Sequence, residues 1–221
     1  MFYETAKDNH GLPQNPFKAC TAPRPIGWIS TKSPNGIDNL APFSQFQNLS
    51  FDPPYVMVAI NQNARGERKD TTKNIEATGE FVYNIVPAEL AEQMNITATE
   101  VPYEQDEFVL AGLEKAESVL VKPVRVAQSP IQFECVYVQT VRLPGLGLQG
   151  TVDVIIGKVV GIHIKDEFIT PDGKVDIVKI RPLARLGYLD YTIVESQFTM
   201  APDDTEGALQ GMAGASVIAS R

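Results

Sequence analysis

Residues 23–62 read PRPIGWISTKSPNGIDNLAPFSQFQNLSFDPPYVMVAINQ, and residues 67–86 read ERKDTTKNIEATGEFVYNIV. In the first stretch, short apolar runs alternate with turn dipeptides. Pro25 to Ser33 has the content of a β-strand, and Ser33-Pro34-Asn35-Gly36 is a hairpin signal because Asn-Gly accepts the backbone angles of a tight turn. Asp38 to Ser50 continues extended. Asp52-Pro53-Pro54 is expected to be a hard stop, since proline cannot donate to a strand ladder. Tyr55 to Asn61 is almost wholly apolar, as expected of a central strand covered on both faces. The second stretch changes period. Asp70 or Thr71 is expected to cap a helix that runs through Thr78 and exits at Gly79, and Glu80 to Val86 is a further strand.

Outward from this block the same pattern continues. Residues 1–22 are polar and rich in turn formers, so they read as an arm with a short helical turn at most. Pro87 is expected to open a helix over Ala88 to Ile96. Residues 97–115 are acidic, with helical pieces that cover one end of the fold. Residues 118–164 read as three strands. From Ile131 to Val141 the odd positions are Ile, Phe, Cys, Tyr, Gln and Val, a period of two. Gly157 and Gly161 interrupt a long β-branched run and suggest bulges. The glycine-rich segment Leu143 to Gly150 reads as a hairpin loop, although it could also touch a ligand. Thr170 to Gly173 is a turn, and Pro182 to Tyr191 the last ordered element. Many short strands, few helices and regular turns indicate a mainly β fold, an antiparallel Greek-key barrel. The expected organisation is an arm over 1–22, a barrel domain over 23–199 and a tail over 200–221.

Composition narrows the function. The chain has 221 residues, 43% hydrophobic and 21% charged, with a net charge of −8, so it argues against nucleic acid as a partner. No apolar run is long enough to cross a membrane, and the first residues lack a signal-peptide pattern, so cytoplasm is the default expectation. Cys20 and Cys135 form no ligand motif, and His10 and His163 are the two histidines; no metal is expected. No nucleophile elbow, Walker loop or G-x-G-x-x-G dinucleotide loop is expected. An enzyme built from these residues would draw its chemistry from a cofactor, and no side chain is assigned as catalytic. The local exception to the acidic balance lies between Asn61 and Lys73, where Arg65, Arg68, Lys69 and Lys73 face only Glu67 and Asp70. Cations beside a helix start suit a phosphate, although a solvated charged loop has the same composition.

These motifs together resemble the flavin reductase-like family, the FMN-binding split barrels that include reductase components of two-component monooxygenases. The residues that carry the resemblance are Pro23-Arg-Pro-Ile26, Asn39-Leu-Ala-Pro-Phe-Ser44, Ser50-Phe-Asp-Pro-Pro54, Lys69-Asp-Thr71, Asn74-Ile75, Thr78-Gly-Glu-Phe81 with Asn84, and Ala184-Arg-Leu-Gly-Tyr188. The resemblance implies a split β-barrel homodimer with FMN in a groove near the subunit interface. Asn39, Leu40, Ala41, Pro42, Phe43 and Ser44 would lay backbone groups along the flavin ring. Asn48 and Ser50 would lie near the ribityl chain or phosphate. Arg68, Lys69 and Thr71 would hold the phosphate, with Asp70 orienting or capping the helix.

The implied activity is an FMN-dependent NAD(P)H:flavin oxidoreductase, with NADH or NADPH as co-substrate and a partner monooxygenase as one destination for reduced flavin. A non-enzymatic FMN-binding protein, serving relay, storage or sensing, is the alternative. Each residue also has a plainer role. Asn39 and Ser44 suit hairpins, Asp70 suits a helix cap, and Trp28 and Phe46 suit the core. His163 reads as a hydrogen-bonded structural histidine. Arg185 and Tyr188 close the pocket or, equally, Arg185 forms a surface ion pair.

Overall fold

The computed structural model describes residues 1–200. In chain order its strands and helices are β1 (Arg24–Pro25), β2 (Gly27–Lys32), β3 (Asp38–Phe43), β4 (Phe46–Phe51), β5 (Pro54–Asn61), α1 (Asp70–Thr78), β6 (Glu80–Asn84), α2 (Ala91–Ile96), α3 (Glu107–Leu110), β7 (Lys115–Ala116), β8 (Arg125–Val126), β9 (Ile131–Leu143), β10 (Val152–Ile164), α4 (Ile177–Ile180), β11 (Leu183–Gly187) and β12 (Asp190–Ile193). Seven strands form one antiparallel sheet in the order β3-β2-β6-β9-β10-β5-β4. Its two edges, β3 and β4, are consecutive in sequence and meet at the corner Ser44-Gln45, where the Ala59 N–H donates to the Gln45 carbonyl at 2.8 Å. The sheet thus curls into a split barrel. A small sheet β1-β11-β12 lies beside it.

Alternation along the strands divides the core. On β2, Ile29 belongs to the barrel interior with Phe46, Val58, Phe81, Cys135 and Ile155. Its neighbour Trp28 belongs to a second cluster outside the barrel, with Leu40, Met94, Phe108 and Val126. That outer cluster is made by α2, α3 and the following segment packing over β2 and β3. Trp28 is fully buried and its Nε1 donates to Thr97 Oγ1 at 2.9 Å. Phe46 stacks on Tyr83 with centroids 4.4 Å apart. Both are core residues.

The long hairpin β9-β10 shows register shifts at Ile156/Gly157 and at Val159/Gly161, the bulges that the two glycines suggest. Gly157 also has a packing reason: a Cβ there would overlap the Phe81 ring. Against the expectation of no such loop, the segment between these strands spells G-x-G-x-x-G at Gly145 to Gly150, yet it joins strand to strand and is exposed. A dinucleotide fingerprint needs a strand-to-helix turn, so these glycines serve the hairpin.

Several expectations are corrected. Asp52-Pro53 is a tight turn rather than a stop, and Pro54 is the first residue of β5, a position that needs no N–H. β5 is not buried on both faces: Val56, Val58 and Ile60 are buried, whereas Tyr55, Met57, Ala59 and Asn61 are half-buried. The segment after Pro87 is a 3₁₀ turn, Ala88–Leu90, before α2. On β9 the even positions Gln132 and Glu134 are buried although the period of two points them outward. Residues 117–126 fold over that face. The Glu134 carboxylate accepts the N–H groups of Val119, Leu120 and Val121, and His163 Nε2 lies 2.5 Å from it. His163 is therefore a structural histidine. Beyond Met200, the expected tail lies outside the described residues.

Candidate functional site

Helix α1 begins where the sequence places it, but its first turn is built differently from expectation. The N-cap position is Lys69, which makes no side-chain cap, and Asp70 is the first helical residue. Asp70 accepts from Lys73 Nζ at 3.1 Å; it does not cap. The helix closes at Gly79, whose φ of 76° is the left-handed conformation that a Cβ disfavours. Without a side-chain cap, the N–H groups of the first turn are left for an external acceptor. The Thr72 hydroxyl, in the same turn, is buried without a hydrogen-bond partner. That hydroxyl lines neither cavity; it is the uncapped helix end beside a lysine that fits an anion.

What holds that turn against the sheet is a buried polar network. Asn39 Oδ1 accepts from Thr71 Oγ1 at 3.0 Å and Thr31 Oγ1 at 3.2 Å. Asn39 Nδ2 donates to Glu107 Oε1 at 2.8 Å, and the Leu40 N–H donates to Glu107 Oε2 at 3.0 Å. Asn74 donates to Thr31, and the Tyr103 hydroxyl donates to Asn74 Oδ1 at 2.7 Å. Burial pushes the Glu107 carboxyl up, against the Leu40 and Asn39 donors that pull it down. Asn39 and Thr71 thus spend their side chains inside the protein and position α1.

Arg68 is likewise occupied. Its Nε donates to Asp153 Oδ2 at 3.0 Å and its Nη2 to Glu76 Oε1 at 2.5 Å. Arg142 holds the other oxygen of Asp153 at 2.8 Å. Burial raises the Asp153 carboxyl, but the hydrogen bonds from Arg142 and Arg68 outweigh it and leave the group below its ordinary value. The hydrogen bond from Arg68 also holds Glu76 below its own. Lys69 is freer: its closest acid is Glu100, 3.7 Å away.

Two cavities meet at Lys69. The smaller, about 190 Å³, is polar and lies over the start of α1, with Asn39, Ala41, Arg68, Lys69, Asp70 and Thr71 on its wall. The larger, about 840 Å³, is lined by Pro42, Phe43 and Ser44, by Ala59 and Asn61 of β5, and by Arg185 and Tyr188. The remaining wall was missed by sequence reading: Tyr3, Thr5, Asp8, Asn15, Phe17 and Lys18 of the arm, with Arg24 and Gln45. Only Arg24, inside the PRPI motif, carried a signal. The arm is thus part of the site rather than an appendage.

The twelve expected residues divide accordingly. Asn39, Ala41, Pro42, Phe43, Ser44, Arg68, Lys69, Asp70 and Thr71 come together along the cavities, with the side chains of Asn39, Arg68 and Thr71 engaged inside the protein. Leu40 is fully buried in the outer core and its N–H is committed to Glu107. Asn48 and Ser50 sit on the exposed edge strand β4 and line neither cavity; Ser50 Oγ donates to the Pro53 carbonyl. Among the described residues no cluster of His, Cys, Asp and Glu could hold a metal.

Comparison with known proteins agrees with this architecture. The family model described as flavin reductase like domain matches residues 20–178. An uncharacterised protein of Aquifex aeolicus (strain VF5) is 39% identical over 165 residues, which span 75% of this chain and 81% of its own. The crystal structure of nitrilotriacetate monooxygenase component B from Bacillus cereus superposes with a TM-score of 0.80 at 28% identity, covering 90% of this chain and 98% of that one. A Shewanella frigidimarina NCIMB 400 protein with a split barrel domain has a TM-score of 0.75 at 21% identity, covering 92% of this chain and 100% of its own, and shares the fold. On the strength of the family match over most of its length, the chain belongs to the flavin reductase-like family.

Proposed function

We propose that the protein is an oxidoreductase that binds FMN and moves a hydride to it from NADH or NADPH. The observation that carries this reading is the junction at Lys69 of a roomy cavity with an uncapped helix end. Lys69 and the N–H groups at the start of α1 would hold the phosphate, since a charge-assisted hydrogen bond contributes about 1.5–3 kcal/mol. The backbone of Ala41 to Ser44 would border the ring. Arg68 takes a positioning role here, because its guanidinium is already paired with Glu76 and Asp153.

When bound, the flavin supplies the two-electron chemistry, and this chain's residues bind, orient and exclude water. At about 840 Å³ the larger cavity lies toward the upper end of the roughly 300–1,000 Å³ range of small-molecule sites. That leaves room for a second ligand, which favours the reductase over a flavin store. A homodimer completes the proposal. Half-buried Met57, Val154 and Ile156 form an apolar patch on the outer sheet face, with Val154 directly opposite Ala59, which lines the cavity, and Lys158 at its border. A partner monooxygenase is a consistent destination for reduced flavin.

The test is a fluorescence titration with FMN followed by NADH and NADPH oxidation assays. Saturable FMN binding with rapid nicotinamide oxidation is the expected result. No flavin binding would sink the reading, and tight flavin without turnover would replace it with the relay.

A further inference from the structure

The larger cavity holds a charge arrangement that FMN anchored at Lys69 does not use. β1 pairs with β11 in a register that sets Arg24 directly opposite Arg185. Residues opposite one another on antiparallel strands have Cα atoms about 4.5–5.5 Å apart and project from the same face. Like charges so placed destabilise the pair. Both side chains line the cavity, as do Lys18 and Lys69, against one acid, Asp8, which lies 3.1 Å from His10. The partners of the two arginines among the described residues are neutral oxygens. Arg24 donates to the carbonyls of Lys18, Thr21 and Leu186, and Arg185 to the Tyr191 hydroxyl and the Tyr188 carbonyl.

This arrangement is held firmly. The Arg185 guanidinium stacks 4.4 Å from the Tyr191 ring centroid. Tyr188, on the cavity wall, adopts φ 46°, an uncommon conformation for a bulky residue. The arm closes from the other side, with Ala19 packed so tightly on Gly187 that a Cβ there would come within 2.6 Å of it. Burial lowers the Arg24 pKa, and the charge of Arg185 lowers it further. In a chain with 27 acidic residues and a net charge of −8, no acid among the described residues pairs with either arginine. A fixed pair of guanidinium forks with no acid is the geometry that an oxyanion completes.

We propose that Arg24 and Arg185 form a second anion site, which grips a phosphoryl or carboxylate group of the ligand that shares the cavity with the flavin. Two sources offer this chemistry: the phosphates of a nicotinamide nucleotide, or the carboxylate of an organic electron acceptor. The inference rests on the flavin reading for the identity of the neighbour, and on the charges alone for the site.

The test is calorimetric titration of the full chain with inorganic pyrophosphate and with benzoate, for wild type, Arg185→Gln and Arg185→Lys, with FMN titrated separately. Arg185→Gln is expected to weaken the preferred probe at least tenfold, Arg185→Lys to restore part of the loss, and FMN affinity to stay within twofold. Preference for pyrophosphate identifies a nucleotide donor, and preference for benzoate a carboxylate acceptor. If Arg185→Gln does not fold, Lys18→Ala is expected to weaken the same probe about threefold. Equal binding by wild type and variants, or none by wild type, overturns the proposal. So does a tenfold loss of FMN affinity in Arg185→Gln, which would make the pair the flavin's own phosphate site. Pyrophosphate binding that depends on Arg185 in a protein that takes no FMN would leave this site standing and remove the flavin reading instead.

Discussion

Lys69 and Arg68 are adjacent cations with different work, and the difference is measurable. Among the described residues Lys69 has one loose ion-pair partner, Glu100 at 3.7 Å, so its charge is more available to a ligand than that of Arg68. Lys69→Ala is expected to weaken FMN binding by about 1.5–3 kcal/mol, roughly 10- to 150-fold in Kd, by fluorescence titration. Arg68 instead stabilises the nearly buried Asp153 carboxylate. Arg68→Ala is expected to cost about 1–3 kcal/mol of unfolding free energy, read by urea denaturation. The pH dependence has a definite sign. Asp153 has a folded pKa below its unfolded value, so its stabilisation is full above about pH 4 and is lost as pH falls through the lower folded value. Acidification below about pH 4 is expected to lower wild-type stability more steeply than that of Arg68→Ala; parallel curves would contradict the assignment.

Strand β10 is shaped by close approach. Its bulge at Gly157 sets the backbone against the fully buried Phe81 ring. Gly157→Ala is expected to cost about 1–3 kcal/mol by overpacking, seen as a lower urea midpoint with an unchanged m-value. The bulges were legible in the run around Gly157 and Gly161, because an isolated glycine in a β-branched stretch has few other uses. The covering of β9 was not. Gln132 and Glu134 look like solvent-facing residues in the alternation, and only the fold of 117–126 across them shows that they satisfy buried N–H groups and carbonyls. Helix α1 was legible in extent, from Asp70 to Gly79. Its cap was misread because Asp and Thr favour capping locally, whereas Thr71 is drawn to Asn39 by packing on β3.

For the whole molecule, the outer face of β5 and β10 carries the remaining prediction. Met57 lies directly opposite Ile156 on that face. The wild-type protein is expected to sediment at twice the chain mass of 24.2 kDa, and Met57→Glu to shift it toward the monomer, since burying an unpaired carboxylate at an interface is costly. A wild-type monomer would refute the dimer.

Periodicity, turn chemistry and the cation cluster are properties of neighbours in sequence, so the strands, the hairpins, helix α1 and the basic loop could be read from the residues alone. Which cations remain free, and which are consumed by Asp153 and Glu76, depends on pairings between distant segments. The same holds for the arm that walls the cavity and for Arg24 opposite Arg185, contributed from near the two ends of the chain. Only tertiary contacts bring such groups within hydrogen-bonding and Coulombic range, and those interactions decay over a few ångströms.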